Sequence, residues 1–468
     1  MAEQKIYMIG ICGVAMGTLA AMLGEKGFAV SGSDQNIYPP MSDMLSRRGI
    51  LLNNGFSADN VGKPDLVVIG NAVSRGNMEA EYVLNSGIPY LSMAQALQRF
   101  FLHDKEVIAV CGTHGKTTTA ALLAHILEKA GLSPSFFVGG IVRNYDSGHK
   151  IGTGRLFVIE GDEYDSAFFE KIPKFIVYRP RHLVLTSLEF DHADIYRDLA
   201  EIELWFRRLL NIIPSNGHIV YSSDYANLID IVSAAYSKCY SFGAGDSDFR
   251  CIPRGYAGDS SELDVEHPRG SFRVRTGLLG GFNYTNLLAA AAMAKLVGAD
   301  DGRIQEGIES FEGVRRRQEL IYQKGNVSIY EDFAHHPTAV KNMLEAIKTR
   351  HAGARLWAVY EPRSATSRRN VFQEILPASF SSADEIIIKT PYQGSFIKDG
   401  LKLDINRLVD DIRSFNQNVH AFQLADDIIR QVTRSIDLKR KNVIVLMSNG
   451  GFDGIYAKIG EAMNQLIA

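Results

Sequence analysis

Short apolar runs recur along the chain, and stretches with helical spacing separate them. Residues 5–10 form the first run, which leads into a glycine-rich turn, and similar runs follow at 28–30, 65–69 and 106–111. Strands buried on both faces of a parallel sheet read as continuous apolar runs, and a helix usually connects one such strand to the next. The pattern therefore predicts α/β domains built on parallel, doubly wound sheets.

The same pattern divides the chain into three units. Residues 249–276 alternate apolar and polar positions, as short antiparallel strands do, and 286–297 form an alanine-rich helix that we expect to close the second unit. A third unit begins near residue 313, and its apolar runs are 327–330, 356–359, 386–388 and 443–446. We predict a Rossmann-like N-terminal domain at 1–104, a central domain with a small antiparallel sheet at 105–312, and a Rossmann-like C-terminal domain at 313–468.

Composition and charge narrow the class of protein. The chain has 468 residues, with 50 Lys and Arg against 53 Asp and Glu, so its net charge is only -3. This balance argues against a nucleic-acid binder that relies on positive charge. The N-terminal residues lack the basic and apolar regions of a secretory leader, and no apolar stretch approaches the length of about 18 residues that indicates a membrane span. We therefore expect a soluble protein.

The four cysteines are Cys12, Cys111, Cys239 and Cys251. None of them is spaced as C-x-x-C, so the sequence indicates neither a zinc site nor a disulfide framework. Free thiols in a reducing cytoplasm are the expected state.

A phosphate-binding loop is the strongest candidate site. It follows the apolar run at 106–111 and precedes a helix with Leu122, Leu123, Ile126 and Leu127 on one face. Glycines let backbone N–H groups approach a phosphate closely, while a lysine neutralises its charge and the next hydroxyl ligates Mg²⁺. The loop residues are Gly112, Thr113, His114, Gly115, Lys116, Thr117 and Thr118. We therefore predict a central domain of the phosphate-loop ATPase type that binds ATP and Mg²⁺.

Two acidic clusters follow predicted strands downstream of this loop. They are E-G-D-E-Y-D at 160–165 and E-F-D-H at 189–192. Either cluster is compatible with a solvated loop, but the carboxyl ends of neighbouring parallel strands meet at the edge where ligands bind. Since Mg²⁺ prefers oxygen ligands, both clusters are candidates for a metal site beside the phosphates.

Together with motifs farther along, these segments resemble the Mur ligase family over essentially the whole chain. The further motifs are N-Y-T-N at 283–286, R-R-R-Q-E at 315–319 and D-F-A-H-H-P-T-A at 332–339. The family comprises ATP-dependent enzymes that form amide bonds in bacterial cell-wall precursors. The resemblance implies a cytoplasmic bacterial ligase, monomeric or weakly dimeric, that activates a carboxylate as an acyl phosphate before an amine attacks it.

The resemblance also implies roles for individual residues. The implied catalytic residues are Lys116, Glu160 and His192, and the implied metal ligands are Thr117, Glu160 and His192. The implied ATP contacts outside the loop are Asn283, Asn286, Arg317 and Asp332. The implied UDP-sugar contacts are Gly10, Gly13, Asp34 and Asn71, and the implied peptide contacts are Arg363 and Asn449. Phe282 departs from the family pattern, which usually has a histidine before the first asparagine.

Within the family, G-I-C-G-V-A-M-G at 10–17 and D-x-x-H-H-P-T at 332–338 are similar to the branch that acts on UDP-N-acetylmuramate. Members of this branch add either L-alanine, in de novo peptidoglycan synthesis, or the murein tripeptide L-alanyl-γ-D-glutamyl-meso-diaminopimelate, in peptidoglycan recycling. Four segments favour the tripeptide, although a peptide with lysine as its third residue stays open. They are Y-P-P-M at 38–41, G-N-A-V-S-R-G-N at 70–77, E-Y-D-x-A-F-F at 163–169 and M-S-N-G-G-F at 447–452.

Two other classes of protein fit part of the sequence. A phosphate-loop motor or transport ATPase would hydrolyse ATP without UDP-N-acetylmuramate and has no need of a sugar-nucleotide domain. A UDP-sugar sensor built on the first domain would need no metal site, so the presence of Lys116, Glu160 and His192 speaks against it.

Overall fold

A computed structural model gives the fold of the chain. It describes residues 4–37, 41–257, 260–391, 397 and 400–467. Residues 38–40, which belong to the Y-P-P-M segment, lie outside the described residues. The rest forms three α/β units in chain order, each built around a mainly parallel sheet.

The N-terminal unit is a five-stranded parallel sheet with helices between its strands. Its elements are β1 (Lys5–Ile9), α1 (Val14–Glu25), β2 (Ala29–Asp34), α2 (Met41–Arg47), β3 (Leu51–Asn54), α3 (Ala58–Val61), β4 (Leu66–Ile69), α4 (Met78–Ser86), β5 (Tyr90–Ser92) and α5 (Met93–Leu97). The strand order β3-β2-β1-β4-β5 is typical of a Rossmann-like fold. Because the strand order reverses between β1 and β4, a ligand crevice is expected at the carboxyl ends of these two strands.

The central unit is built on a seven-stranded sheet. Its elements are β6 (Glu106–Cys111), α6 (Lys116–Lys129), β7 (Ser135–Val142), β8 (Ser147–Lys150), β9 (Leu156–Gly161), β10 (Asp165–Ala167), β11 (Glu170–Pro173), α7 (Lys174–Val177), β12 (His182–Leu185), α8 (Leu199–Leu210), β13 (His218–Ser222), α9 (Ala226–Val232), β14 (Lys238–Phe242), β15 (Arg250–Ala257), β16 (Ser260–His267), β17 (Gly270–Thr276), α10 (Gly281–Leu296) and α11 (Asp301–Glu309). The large sheet has the order β14-β13-β12-β6-β9-β7-β8, in which only the β7–β8 pair is antiparallel among the described residues. Strands β15, β16 and β17 form the predicted small antiparallel sheet.

The alanine-rich helix α10 differs from its predicted extent and position. It begins at Gly281 rather than at residue 286, directly after Gly280, whose φ is 87°. The expectation that it closes the unit was also wrong, because α11 follows it and both helices pack against α6. Helix α11 shows only a weak apolar pattern in the sequence, because the large apolar residues that it buries are Ile304 and Ile308.

The C-terminal unit contains a six-stranded sheet. Its elements are β18 (Glu319–Lys324), β19 (Val327–Asp332), α12 (Pro337–Arg350), β20 (Arg355–Tyr360), β21 (Glu385–Lys389), α13 (Ile405–Arg413), β22 (Val419–Phe422), α14 (Ala425–Ser435), β23 (Asn442–Met447) and α15 (Ile455–Leu466). The strand order is β18-β19-β23-β20-β21-β22, with β18 antiparallel to its neighbour and the other pairs parallel. Strand β23 returns between β19 and β20, so the carboxyl ends of these three strands are the expected ligand edge.

A hairpin of the central unit joins it to the N-terminal unit. Strands β10 and β11 form this hairpin, and Glu170 accepts hydrogen bonds from Ser92 Oγ at 2.6 Å and Gln95 Nε2 at 2.9 Å. The rings of Phe169 and Tyr90 meet edge to face with their centroids 5.0 Å apart. Strand β10 begins at Asp165, the last residue of the first acidic cluster. The contacts of the hairpin therefore link the N-terminal unit to that cluster.

The structure confirms the predicted fold class of three α/β units with Rossmann-like outer units and a small antiparallel sheet in the middle. In the described part of the chain, no helix has the length and apolar character needed to cross a membrane.

Candidate active site

The phosphate loop connects β6 to α6, and the segment after β12 fixes its backbone. Thr113 N donates to Ser187 O at 3.2 Å, and His114 N donates to Ser187 Oγ at 2.8 Å. Thr113 Oγ1 also accepts a hydrogen bond from Glu189 N at 2.8 Å. The protein itself therefore holds the loop in its curved shape.

Two positions of the loop require glycine. Gly112 has a φ of 131° and Gly115 a φ of 80°, a range that side chains disfavour. A Cβ at Gly112 would overlap Thr186 Oγ1, and a Cβ at Gly115 would overlap Asn286 Oδ1. The loop backbone consequently packs directly against α10 and against the end of β12.

Lys116 begins α6, and its ammonium group is already paired. Its Nζ donates to Gly112 O at 2.6 Å and to Glu163 Oε2 at 2.8 Å. Burial alone would lower the pKa of this ammonium, but Glu163, Asp162 and Glu160 outweigh burial and raise it, so the group is positively charged. The loop therefore carries a permanent positive charge, which the Glu163 carboxylate balances in this structure.

Thr117 and Glu160 form an oxygen pair beside the loop. Thr117 Oγ1 donates to Glu160 Oε1 at 2.9 Å, and Gly139 N donates to Glu160 Oε2 at 2.8 Å. A hydroxyl and a carboxylate are hard ligands of the kind that Mg²⁺ prefers. The structure thus brings together two of the three predicted metal ligands.

The third predicted ligand, His192, groups with other carboxylates. Its Nε2 lies 3.8 Å from Glu163 Oε2, and one ligand atom each from Asp162, Glu163 and His192 lie within 4.8 Å of one another. His192 has a left-handed backbone with φ of 58°, and its ring packs on Tyr164 with the centroids 4.3 Å apart. Such a conformation in a non-glycine residue is typical of functional sites. These side chains fit a second cation position beside the first.

The C-terminal unit contributes Arg317 and Asp332. Arg317 Nη2 donates to Thr117 Oγ1 at 3.4 Å, and its guanidinium lies over the Phe333 ring at 4.3 Å. Asp332 Oδ2 accepts a hydrogen bond from Gln318 N at 2.8 Å. Burial raises the pKa of the Asp332 carboxyl, and Arg317 acts against this shift. An arginine of the C-terminal unit therefore already contacts the phosphate loop.

Asn283 and Asn286 lie in the first turns of α10 and form a buried amide network. Asn286 Nδ2 donates to Asn283 Oδ1 at 3.1 Å, and Asn283 Nδ2 donates to Gln318 Oε1 at 3.0 Å. Thr119 Oγ1 donates to Asn286 Oδ1 at 3.3 Å. The network connects α6, α10 and the start of the C-terminal unit.

His336 links helix α12 to the segment after β12. Its Nδ1 accepts a hydrogen bond from Thr338 N at 3.3 Å, and its Nε2 lies 3.3 Å from Phe190 O. Burial, and next the neighbouring His114, lower the pKa of His336 to about 4. The imidazole is therefore neutral at neutral pH, and its Nε2–H donates to the carbonyl of Phe190.

A cavity of about 730 Å³ between the central and C-terminal units collects most of these groups. The predicted residues that line it are Thr113, His114, Gly115, Lys116, Thr117, Thr118, Glu160, His192, Asn283, Asn286, Arg317, Asp332 and Asn449. Its lining carboxylates are Glu160, Asp162, Asp191, Asp224 and Asp332. These outnumber the two permanent cations of the lining, Lys116 and Arg317, so a triphosphate alone would be repelled. The lining therefore fits a nucleotide that arrives with a divalent cation.

Gly112 and Arg363 are predicted residues outside this lining. Gly112 packs against Thr186 and Ser187, and the Arg363 side chain lies against Gly450, next to Asn449. Asn449 Oδ1 is buried and has no hydrogen-bond partner within the described residues. Arg316 Nη2 fixes the adjacent backbone by donating to Ser448 O at 3.2 Å. Asn449 thus presents an unused acceptor at the cavity.

The four predicted UDP-sugar contacts lie in the N-terminal unit, apart from the lining of the cavity. Gly10 follows β1, Gly13 precedes α1, Asp34 ends β2 and Asn71 follows β4. Asp34 Oδ2 accepts a hydrogen bond from Cys12 N at 2.9 Å, which fixes the glycine-rich turn. All four therefore share the sheet edge at which the ligand crevice of this unit is expected.

Three models of one protein family match the chain in succession. The Mur ligase family catalytic domain matches residues 5–105, the Mur ligase middle domain matches 110–294, and the Mur ligase glutamate ligase domain matches 316–450. The chain is a member of the Mur ligase family. The family predicted from the sequence motifs is thereby confirmed.

Several Mur ligases are similar to this one over nearly their whole length. It is 38% identical over 459 residues, 97% of each chain, to the UDP-N-acetylmuramate–L-alanyl-γ-D-glutamyl-meso-2,6-diaminoheptandioate ligase of Escherichia coli strain K12. It is 31% identical to the UDP-N-acetylmuramate–L-alanine ligase of Clostridium tetani, over 93% of this chain and 94% of the other. A solved murein peptide ligase from Psychrobacter arcticus has a TM-score of 0.74 and 33% identity, covering 99% of this chain and 100% of the other.

Proposed function

We propose that this Mur ligase uses ATP to join the tripeptide L-alanyl-γ-D-glutamyl-meso-diaminopimelate to UDP-N-acetylmuramate. The observation that carries the proposal is the 38% identity, over 97% of both chains, to a ligase named for this pair of substrates. The cavity supports it, because the phosphate loop, two candidate cation positions and groups from the C-terminal unit surround one space. The reaction would serve peptidoglycan recycling in the bacterial cytoplasm, where its nucleotide substrates are available.

The chemistry requires that a carboxylate first be activated. A carboxylate does not condense with an amine in water, because its oxide is a very poor leaving group. In the proposed reaction the lactyl carboxylate of UDP-N-acetylmuramate attacks the γ-phosphorus of ATP, ADP leaves, and an acyl phosphate forms. The neutral amine of the peptide then attacks the acyl carbon. Phosphate leaves, the nitrogen loses a proton, and the amide bond is complete.

The first step brings two anions together, so the site must offset their charge. Lys116 binds the phosphate oxygens once it leaves Glu163, and Arg317 approaches them from the C-terminal unit. Thr117 with Glu160, and His192 with its neighbouring carboxylates, would hold Mg²⁺. Bound there, Mg²⁺ supplies charge neutralisation and orientation of the phosphate oxygens.

The remaining predicted residues have proposed binding roles. Asn283, Asn286 and Asp332 contact the nucleotide, Gly10, Gly13, Asp34 and Asn71 hold the UDP end of the sugar substrate, and Arg363 and Asn449 bind the peptide. The domain boundaries proposed with these roles are 1–104, 105–312 and 313–468.

Exclusion of water protects the acyl phosphate from hydrolysis. The hydrogen bond from Arg317 to Thr117 and the bond from His336 to Phe190 O hold the C-terminal unit over the phosphate loop. We propose that binding of the substrates tightens this arrangement before phosphoryl transfer.

A competition experiment tests the choice of substrate. Purified protein receives ATP, Mg²⁺, UDP-N-acetylmuramate and equal concentrations of the tripeptide and L-alanine, and mass spectrometry identifies the nucleotide-linked product. We expect the tripeptide product to predominate. The second candidate, L-alanine ligation, is supported by the 31% identity to the Clostridium tetani enzyme, and predominance of the alanine product would establish it instead. Steady ATP hydrolysis without UDP-N-acetylmuramate would favour a motor or transport ATPase.

A further inference from the structure

Two histidines and a glutamate meet where the central and C-terminal units touch. His114 belongs to the phosphate loop, Glu189 follows β12, and His336 caps the N-terminus of α12. Glu189 Oε2 lies 3.0 Å from His114 Nε2 and 3.5 Å from His336 Nδ1, and the centroids of the two imidazole rings are 4.5 Å apart. One ligand atom from each side chain lies within 4.8 Å of the other two. Three segments thus bring their side chains together outside the two candidate cation positions described above.

His336 presents a lone pair to this cluster. Its Nε2–H donates to Phe190 O, which leaves Nδ1 as the acceptor atom of the ring. The carboxylate of Glu189 is likewise an acceptor, so two acceptors face each other at 3.5 Å. Thr338 serves both of them, since its N donates to His336 Nδ1 at 3.3 Å and its Oγ1 donates to Glu189 Oε2 at 2.8 Å. A cation between the two acceptors would bind each of them directly.

The surroundings of both histidines suit metal ligands. Histidines that bind metals usually donate their second ring N–H to a backbone carbonyl or a carboxylate, as His336 does to Phe190 O, and this bond fixes the ring. His114 and His336 both line the cavity, so a hydrated ion has a path to them and water can complete its coordination. His114 donates to Glu189 through Nε2 in this structure, and it would bind an ion once its proton occupies Nδ1 instead.

The donor atoms distinguish this cluster from the neighbouring cation positions. Thr117 with Glu160 offers oxygens only, and the cluster of Asp162, Glu163 and His192 offers a single imidazole. Imidazoles favour Zn²⁺ and related transition metals, whereas carboxylates and hydroxyls favour Mg²⁺. Two imidazoles and one carboxylate are also the protein ligands of zinc sites that keep water in the fourth position.

We propose that His114, Glu189 and His336 form a binding site for Zn²⁺ or a chemically similar transition-metal dication. The bound ion would join the phosphate loop and Glu189 of the central unit to the first turn of α12 in the C-terminal unit. It would therefore resist separation of the two units, a role distinct from that of the Mg²⁺ that accompanies a nucleotide. Such a site does not depend on the identity of the substrates, so it can be tested without nucleotide or peptide.

Zn²⁺ binding to the full-length chain tests the site. The protein is freed of metal and titrated with Zn²⁺ against a chromogenic chelator, in excess Mg²⁺ that occupies the oxygen-rich positions. We expect wild type to retain one Zn²⁺ per chain. Glu189→Gln and His336→Asn should each weaken Zn²⁺ binding by more than about 100-fold, the upper limit for losing a residue that only orients a ligand. Asparagine is itself a good helix cap, so His336→Asn keeps α12 capped.

His149→Gln is the matched control. His149 Nε2 lies 3.0 Å from Glu25 Oε1, the same distance as between His114 Nε2 and Glu189 Oε2, yet no third ligand joins this pair among the described residues. The Zn²⁺ affinity of this control should equal that of wild type. Wild-type affinity in Glu189→Gln and His336→Asn, or equal losses in these variants and in the control, would overturn the proposal.

Two further measurements identify the ligands and the link between the units. With Cu²⁺ in place of Zn²⁺, the electron paramagnetic resonance spectrum of wild type should show coupling to two imidazole nitrogens, and that of His336→Asn to at most one. Zn²⁺ should also slow hydrogen exchange in both the phosphate loop and the first turn of α12 in wild type, but not in Glu189→Gln. Coupling to fewer than two nitrogens in wild type, or protection confined to one unit, would overturn the proposal.

Discussion

A buried ion pair in the C-terminal unit leads to a prediction about stability. The free energy lost when an ion pair is broken should depend on how deeply the pair is buried, even when the distance between the charges is the same. Lys389, at the end of β21, has its Nζ 2.7 Å from Glu361 Oε1, and the two side chains are only 3% and 2% exposed. Ser448 Oγ donates to Glu361 Oε2 at 2.6 Å, and Asp453 is 3.0 Å from Lys389. The pair therefore ties together the carboxyl ends of β20, β21 and β23, which carry the proposed peptide contacts. Lys389→Met would leave the Glu361 carboxylate buried without its cation.

The structure supplies a control at the same distance. Lys348 Nζ also lies 2.7 Å from a carboxylate, that of Asp384, but these side chains are 38% and 43% exposed. Breaking a buried pair costs about 3–5 kcal/mol because an uncompensated charge stays in the interior. Breaking an exposed pair costs roughly 0.2–1 kcal/mol, since water solvates the remaining charge. Lys389→Met should therefore destabilise the unit several times more than Lys348→Met.

Native-state hydrogen exchange measures this difference locally, without assuming that the whole chain unfolds in one step. The free energy of opening of amides in β20, β21 and β23 should fall by about 3–5 kcal/mol in Lys389→Met. Adding Glu361→Gln should restore most of the loss, because no buried charge then remains. Equal losses in Lys389→Met and Lys348→Met would refute the argument from burial.

Three further predictions concern single residues. Lys116→Met should lower kcat in a phosphate-release assay by about 100- to 1,000-fold, because this is the typical loss when one donor to developing negative charge is removed. An unchanged kcat would contradict the proposed role of Lys116. Gly115→Ala should weaken ATP binding measured by calorimetry, because the added Cβ overlaps Asn286 Oδ1. The control Gly131→Ala has open space around its Cβ and should bind ATP as wild type does. Equal ATP affinities of the two variants would count against the loop geometry. Burial lowers the pKa of His125 to about 4, whereas the unfolded residue takes up a proton near pH 6.5, so stability should fall as pH drops from about 6.5 to 4. His125→Gln should flatten this dependence in urea titrations at several pH values, and a wild-type slope would show that other groups cause it.

The fold was predictable from the sequence because its signals are local. Continuous apolar runs predict the buried parallel strands. The loop at 112–118 is recognisable from its glycines, and at Gly112 and Gly115 the backbone has a positive φ and an added Cβ would overlap neighbouring atoms. Weakly patterned elements were harder to predict. Helix α11 has few buried apolar residues. The first turn of α10 precedes the alanine-rich run and buries Asn283 through hydrogen bonds, so apolar spacing does not reveal it.

The arrangement of the site was only partly predictable. The acidic run at 160–165 was identified from the sequence. The spacing of residues along the chain does not predict that Asp162 and Glu163, rather than Glu160, lie beside His192. His192 also has a left-handed backbone, with φ of 58°, which no pattern in the sequence indicates.

In the proposed reaction, the γ-phosphoryl group of ATP is transferred in this cavity to the carboxylate of UDP-N-acetylmuramate. Substrate labelled with oxygen-18 in its lactyl carboxylate tests it directly when turned over with ATP, Mg²⁺ and the tripeptide. We predict that each released phosphate carries one labelled oxygen, because phosphate departs with an oxygen of the carboxylate. Amide product formed together with unlabelled phosphate would contradict the acyl phosphate and the role of the phosphate loop in forming it.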